Sequence, residues 1–393
     1  MAHSRRSVLP PSRIPSRTGM ASLIATAALL ACGVAQPAAA APPPTAPAED
    51  AAIGAATDGG SPADVSTFSG EWNGPWTISF LPDGRSALAT ERYTHRVVRL
   101  GLDGSKQQLG MVPNTLTDPV QLPGQGQGLS QGKGGLLGVA PSPTWDGTTD
   151  KRVFFMHTTA SDTRVARMSY DGTSLSDYTT VLGGIQRGGD HNGGKLAFGP
   201  DGYLYVSTGD ARQPKLAQDM QSLNGKILRI TETGAAAPGN PFGDRVYSYG
   251  HRNPQGLAWD RNGRLWAAEI GEDTWDELNL IKPGANYGWP TCEGACNVAG
   301  MTNPMMTWTP AEGVPSQLAI VRNVIYVSTL RGQRLWRVPI DGNSERVGSA
   351  TPFFNRTYGR LRPIAKVPGA DELWLGTNGR GTDKDQILKV TIK

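Results

Sequence analysis

Cysteine and histidine are scarce in this chain, and the scarcity limits its chemistry. Only three cysteines and five histidines occur in 393 residues. Cys292 and Cys296, the two beyond the N-terminal forty residues, sit in Pro290-Thr291-Cys292-Glu293-Gly294-Ala295-Cys296 with no histidine nearby. A zinc site would lack its usual ligands there. Charged residues make up only 18% of the chain, poor material for long surface helices, and no long helical period follows the N-terminal stretch. A confident membrane span is missing too, because the apolar stretch Met20 to Ala35 is short and poor in large side chains. A surplus of basic charge is lacking where it would matter. Of the 38 basic residues, four lie in the first 40 positions, where no acid occurs, leaving 34 against 34 acids. A neutral chain without basic runs gives no electrostatic reason to expect nucleic acid.

What is present begins with an export leader. Arg5, Arg6, Arg13 and Arg17 precede the apolar stretch, and Ala38 to Ala41 follow it. Residues 1–40 are expected to be a signal peptide, cleaved after Ala40, on a secreted or extracytoplasmic protein. The twin-arginine reading of Ser4-Arg5-Arg6-Ser7-Val8-Leu9 stays open, as does a lipoprotein anchored at Cys32 in Leu29-Leu30-Ala31-Cys32. In an exported protein Cys292 and Cys296 are expected to form a disulfide, stiffening a short loop locally. Residues 41–65, rich in Pro, Ala and Gly, read as a flexible spacer before one domain at 66–393.

Glycine is abundant, at 50 residues, and Pro adds 30. Such a chain suits many short strands joined by tight turns. A unit of strand, turn and strand recurs. Its clearest copies are Ile78 to Gly84, Leu196 to Gly202 and Leu257 to Gly263, with Asp-Gly or Asn-Gly at the turn. Looser copies begin near Leu136, Leu318 and Ile364. Several units run on to a basic-apolar phrase, as in Arg96-Val97-Val98-Arg99-Leu100 and Lys226-Ile227-Leu228-Arg229-Ile230. Six such units imply an all-β fold, a six-bladed β-propeller of four-stranded antiparallel blades. Its ligand site is expected among loops distant in sequence, around the central channel.

Of the four histidines past the leader, His95 lies in a turn and His157 in an apolar strand, and both read as structural. His191 differs, sitting among glycines in Gly188-Gly189-Asp190-His191-Asn192-Gly193-Gly194-Lys195. Glycines let a flat ligand approach backbone and leave one imidazole free to accept a proton. A plain turn would look the same. Asp210 ends the next strand, where it can orient that ring or simply cap local amides. Arg252, Asn253 and Gln255 cluster before Leu257, an arrangement suited to a planar anion. Glu269 to Glu277 packs five acids around one loop, hard oxygen donors of the type calcium prefers, without EF-hand spacing. Arg331, Arg360 and Arg362 lie in separate units and can converge on a polyanion or remain solvated.

These pieces occur together and in order in one family. From about Trp76 to its end the chain resembles the glucose/sorbosone dehydrogenase family, the soluble PQQ-dependent aldose dehydrogenases. The resemblance rests on Leu81-Pro82-Asp83-Gly84 with Thr90-Glu91-Arg92, on Gly134 to Gly138, and on Asp190-His191-Asn192-Gly193-Gly194. It rests also on Gly250-His251-Arg252-Asn253-Pro254-Gln255-Gly256, and on Asp276-Glu277-Leu278-Asn279 running to Asn286-Tyr287-Gly288-Trp289-Pro290. The resemblance implies PQQ and Ca2+ as cofactors, a sugar substrate oxidised at C1 to a lactone, and an external electron acceptor. His191 would be the catalytic base with Asp210 beside it. Asp190 would belong to the cofactor site, and Arg252 and Asn253 would contact the quinone. Arg331, Arg360 and Arg362 would bind cofactor carboxylates. Gly271 and Glu272 would offer main-chain carbonyls to the calcium that holds the cofactor, and Glu277 and Tyr287 would bind a second, structural calcium.

Three positions depart from the family pattern. Lys133 stands where characterised-type members have a ligand-contacting Gln, which places a cation near the substrate alongside His191 and Asp210. Arg331 replaces a Lys and keeps its charge. Glu272 replaces a common Pro, a change that a carbonyl ligand tolerates. Two other readings belong to the same fold: a non-catalytic carbohydrate- or protein-binding propeller, and a calcium-dependent lactonase.

Overall fold

A computed structural model describes residues 59–116, 134–379 and 383–393. The leader with Cys32, the spacer up to residue 58, and Lys133 lie outside the described residues. Among the described residues the strands form six four-stranded sheets, each of antiparallel neighbours, as the repeat predicts. The helical element named among them is a single 3-10 turn, Pro214–Ala217, and no described helix is long and apolar enough to cross a membrane.

Each sheet is a blade, and its first strand in the ring lies innermost. Pro75–Phe80, Leu136–Pro141, Leu196–Phe198, Pro254–Trp259, Pro315–Val321 and Leu361–Lys366 contact one another in a closed ring. Outer strands such as Lys106–Met111 are mostly exposed, whereas Leu136–Pro141 is buried throughout. The hydrophobic core is correspondingly divided. Each of six clusters fills the gap between two neighbouring blades; Phe154 and Met156 of one, for example, meet Leu204, Val206 and Leu228 of the next. Sheet packs on sheet, so both faces of every blade must be apolar.

The Asp-Gly and Asn-Gly turns close the first hairpin of their blades with positive φ at Gly84 (65°), Gly202 (77°) and Gly263 (74°). The basic-apolar phrases fall on third strands, among them Arg96–Gly101 and Lys226–Ile230. Hairpin geometry then orders the two faces of the ring. The first turn lies on one face. The start of the first strand and the end of the second therefore lie together on the other.

The ring is closed by chain ends. Pro62–Trp72 pairs with the C-terminal strand Asp385–Ile392, from Pro62 opposite Ile392 to Trp72 opposite Asp385. This strand starts ahead of the boundary expected at residue 66 because its register follows the last strand to that strand's end. Trp72 is fully buried, and Lys106 Nζ, held by the carbonyls of Gly70 (2.7 Å) and Glu71 (2.8 Å), lies 5.2 Å from its ring.

Two expectations follow from this packing. Trp72→Ala removes the anchor of the closing strand and should cost about 3–5 kcal/mol in denaturant unfolding; a loss below about 1 kcal/mol would show that closure does not depend on it. His157 is fully buried between Thr115 Oγ1 and Tyr178 OH, each at 3.1 Å, and burial, then Arg164, pushes its pKa down to about 4 from 6.5. The unfolded chain thus binds the proton more readily, so stability is complete above about pH 6.5 and is lost as pH falls toward about 4. His157→Gln should flatten that part of the stability-pH profile by up to about 3 kcal/mol, and an unchanged profile would count against a buried neutral imidazole.

Candidate active site

The face carrying first-strand starts and second-strand ends holds a cavity of about 870 Å³. Trp76, Arg252, Asn253, Gln255 and Arg362 reach it from first strands or their approaches. Arg92, Arg212, Gly271, Glu272, Arg331 and Asn378 reach it from the segments after second strands. His191 and Arg360 complete the set that concerns the chemistry.

His191 owes its position to close backbone contact. Its own φ is 54°, a left-handed conformation that costs about 1–2 kcal/mol in a non-glycine residue. The segment is pressed against residues 207–211, with Gly194 N donating to Ser207 O and Ala211 N to His191 O, both at 3.1 Å. A Cβ on Gly193 would lie 2.3 Å from Ser207 O, and one on Gly209 would lie 2.0 Å from His191 O. Only glycine permits either approach. Asn253 Oδ1 accepts from Gly193 N at 3.1 Å, which ties the same segment to the next blade.

His191 Nδ1 lies 2.8 Å from Asp210 Oδ1. Asp210 is buried, and it also accepts from Arg212 N (2.9 Å, Oδ1) and Trp289 Nε1 (2.9 Å, Oδ2). With Asp210 accepting from these donors, a neutral His191 donates from Nδ1 and leaves Nε2 as the acceptor. Asp190 does not line the cavity. Its two oxygens face Arg212, Oδ1 receiving Nε and Oδ2 receiving Nη2 at 2.7 Å, and Oδ1 lies 3.6 Å from His191 Nε2.

Positive charge dominates the remaining wall. The Arg362 guanidinium is buried 3.7 Å from the Trp76 ring; its Nη1 donates to Gln255 Oε1 at 2.9 Å, and its Nε has no hydrogen-bond partner among the described residues. Burial, then Arg92 and Arg360, holds its pKa well below the ordinary arginine value. Such a cation, pressed by like charges and with no anion among the described residues, would gain from an anionic ligand. Arg331 and Arg360 line the same cavity. This donor set fits a planar polycarboxylate, which would stack on and pair with guanidinium groups.

Arg252 is buried against the loop after Leu265–Glu269. Its Nη1 donates to Ile270 O (3.1 Å) and to Gly271 O, while Glu272 Oε2 receives Nε at 2.7 Å. Two carbonyls and a carboxylate thus enclose a positive group, and the same hard oxygen atoms suit calcium. Glu277 lies directly opposite Glu269 on the adjacent strand, accepting from Gly294 N (2.8 Å) and Asn279 Nδ2 (3.0 Å). Burial, then Glu269, raises its pKa. The Tyr287 hydroxyl is engaged elsewhere: it donates to Leu280 O at 2.6 Å and accepts from Lys282 N at 2.9 Å. Among the described residues no group of three or more His, Cys, Asp or Glu side chains is placed to hold a metal ion. Cys292 and Cys296 are joined in a disulfide.

Sequence reasoning passed over Trp76, Arg92, Arg212 and Trp289 as site residues. Arg92 and Arg212 had a usable signal, since both follow a second strand as Asp210 and Arg331 do. Trp289 had none, being 79 residues from the carboxylate it binds.

Residues 72–388 match the family described as Glucose / Sorbosone dehydrogenase. In structure, the chain is similar to the PQQ-bound form of an aldose sugar dehydrogenase from Streptomyces coelicolor. The TM-score is 0.77 at 43% identity, over 86% of this chain and all of that one. In sequence it is 33% identical to aldose sugar dehydrogenase YliI of Escherichia coli over 58% of this chain and 62% of that protein. It is 30% identical to quinoprotein glucose dehydrogenase B of Acinetobacter calcoaceticus over 56% of this chain and 51% of that protein. The chain thus spans somewhat over half the length of these two curated relatives.

Replacing a buried cation that has no anion among the described residues by an apolar side chain removes a desolvation cost. Arg362→Met should therefore raise the unfolding free energy of the ligand-free protein by about 1–4 kcal/mol while weakening polycarboxylate binding. Destabilisation instead would show that Arg362 is already satisfied without an anion.

Proposed function

The chain belongs to the glucose/sorbosone dehydrogenase family, and from that membership we propose that it is a PQQ-dependent aldose dehydrogenase. It oxidises the C1 hydroxyl of a sugar to the lactone and passes the electrons to an external acceptor. When bound, PQQ, a planar tricarboxylate quinone, supplies the two-electron oxidant, and calcium supplies a Lewis acid beside it. The observation that carries the reading is Arg362, a buried cation with no carboxylate partner among the described residues, lining the same cavity as His191, which Asp210 orients.

The protein's own residues divide the work. Arg331, Arg360 and Arg362 would hold carboxylates of the cofactor, and Trp76 packs against Arg362 in the same cavity. Arg252 and Asn253 stand beside it. Asn253 spends its oxygen on Gly193 and so keeps His191 in register with the cavity. His191 Nε2 takes the proton of the sugar hydroxyl while Asp210 holds the proton on Nδ1 and stabilises the imidazolium that results. Asp190 acts one step back, fixing Arg212 at the rim. Main-chain oxygens at Gly271 and Glu272 would hold calcium. A second calcium is proposed at Glu277, whose carboxyl faces Glu269; the contribution of Tyr287 would come from its main chain, because its hydroxyl is engaged. Lys133 is proposed as a substrate contact, and residues 1–40 as the leader that exports the protein.

Reconstitution tests this reading. Protein supplied with calcium and PQQ should develop the spectrum of bound quinone and reduce a dye when given aldoses. His191→Ala should keep the spectrum and lose about 10²–10⁴-fold in turnover. A protein that takes up no quinone and turns over no sugar would sink the proposal and favour a binding propeller or a lactonase.

A further inference from the structure

The loop that carries Gly271 is gripped from behind by two carboxylates. Gly271 N donates to Asp276 Oδ1 at 2.9 Å. Glu293 Oε1 accepts three amides at once, from Glu272 N (2.6 Å), Thr274 N (3.0 Å) and Trp275 N (3.1 Å). In a trans peptide the C=O of one residue points opposite to the N–H of the next. Drawing the amides of Gly271 and Glu272 toward Asp276 and Glu293 therefore turns the carbonyls of Ile270 and Gly271 the other way. On that side they meet the Arg252 guanidinium.

Glu293 is itself held. It lies inside the loop closed by Cys292–Cys296. Gly294 N donates to Glu277 Oε1 (2.8 Å), Cys292 N to Gly288 O (2.9 Å) and Cys296 N to Asn303 Oδ1 (2.6 Å). Trp275 packs over Gly294 so closely that a Cβ there would lie 2.7 Å from Trp275 Cδ1. The disulfide loop thus docks on the 271–276 loop by both hydrogen bonds and packing.

We infer that Glu293 is a positioning residue for the cation site: the disulfide loop uses its carboxylate to aim the Gly271 carbonyl, and the affinity for calcium depends on the Cys292–Cys296 bond. The inference rests on the reading that calcium binds at Gly271. Without Glu293, three amides lose their acceptor, and a short loop containing Gly271 is free to rotate its peptides.

Calcium titration calorimetry on metal-stripped full-length protein, with and without PQQ, provides the test. Glu293→Ala should weaken calcium binding by about tenfold or more, while its unfolding midpoint in chelator stays near that of the parent. Glu293→Gln keeps an amide oxygen as acceptor and should bind calcium nearly as the parent does. Thiol reduction of the parent should weaken binding much as Glu293→Ala does, and reduction of Glu293→Ala should add little. Equal affinities in parent and Glu293→Ala overturn the inference, and so does a Gln variant as weak as the Ala variant, which would make charge rather than aim the cause. A parent protein that binds no calcium overturns the underlying reading as well.

Discussion

Closure of the ring is the constraint on which the rest depends. A single four-stranded blade has two apolar faces and cannot bury either alone; each of the six clusters is built from two neighbouring sheets. The last gap is filled only when Pro62–Trp72 joins the C-terminal strand and Trp72 enters the cluster shared with the first blade. Closed in this way, the ring brings six first strands side by side around one axis. Their starts then form a single wall, although they are spread over nearly three hundred residues.

That wall is where local geometry turns into chemistry. The same hairpin order that sends Asp-Gly turns to one face sends second-strand ends to the other. Arg92, Arg212, Gly271, Arg331 and Asn378 therefore gather without being neighbours in sequence. The site is built by holding groups in conformations that are costly on their own. His191 is left-handed between glycines, and Arg362 is buried against Trp76 with no anion among the described residues. Such positions persist because the surrounding blades fix them, and they suit an anionic, planar cofactor.

Charge matching organises the rest of the site in layers. Arg252 rests on carbonyl and carboxylate oxygen atoms, and those carbonyls are aimed by Asp276 and Glu293 from behind. Asp210 gathers His191, Arg212 and Trp289, so one carboxylate orients an imidazole ring that lines the cavity. The departure from the family pattern at Glu272 has a physical consequence here: its side chain pairs with Arg252, a contact that proline could not make.

The fold was legible in the sequence because a blade is a local object. Strand, Asp-Gly turn, strand and basic-apolar phrase lie within a few dozen residues, and all recur. The pairing of His191 with Asp210 was legible for the same reason, since both belong to one hairpin and stand nineteen residues apart. Arg252 stood out by its cluster with Asn253 and Gln255, Gly271 was assigned only through resemblance, and the contact between them came from the folded chain. Trp76 under Arg362, Trp289 on Asp210 and Glu293 behind Gly271 were decided by tertiary structure alone. A repeat specifies which side of a strand is buried and where its turns fall. It does not specify which loops of different blades converge, because that depends on how many blades close the ring and how each is rotated against the next.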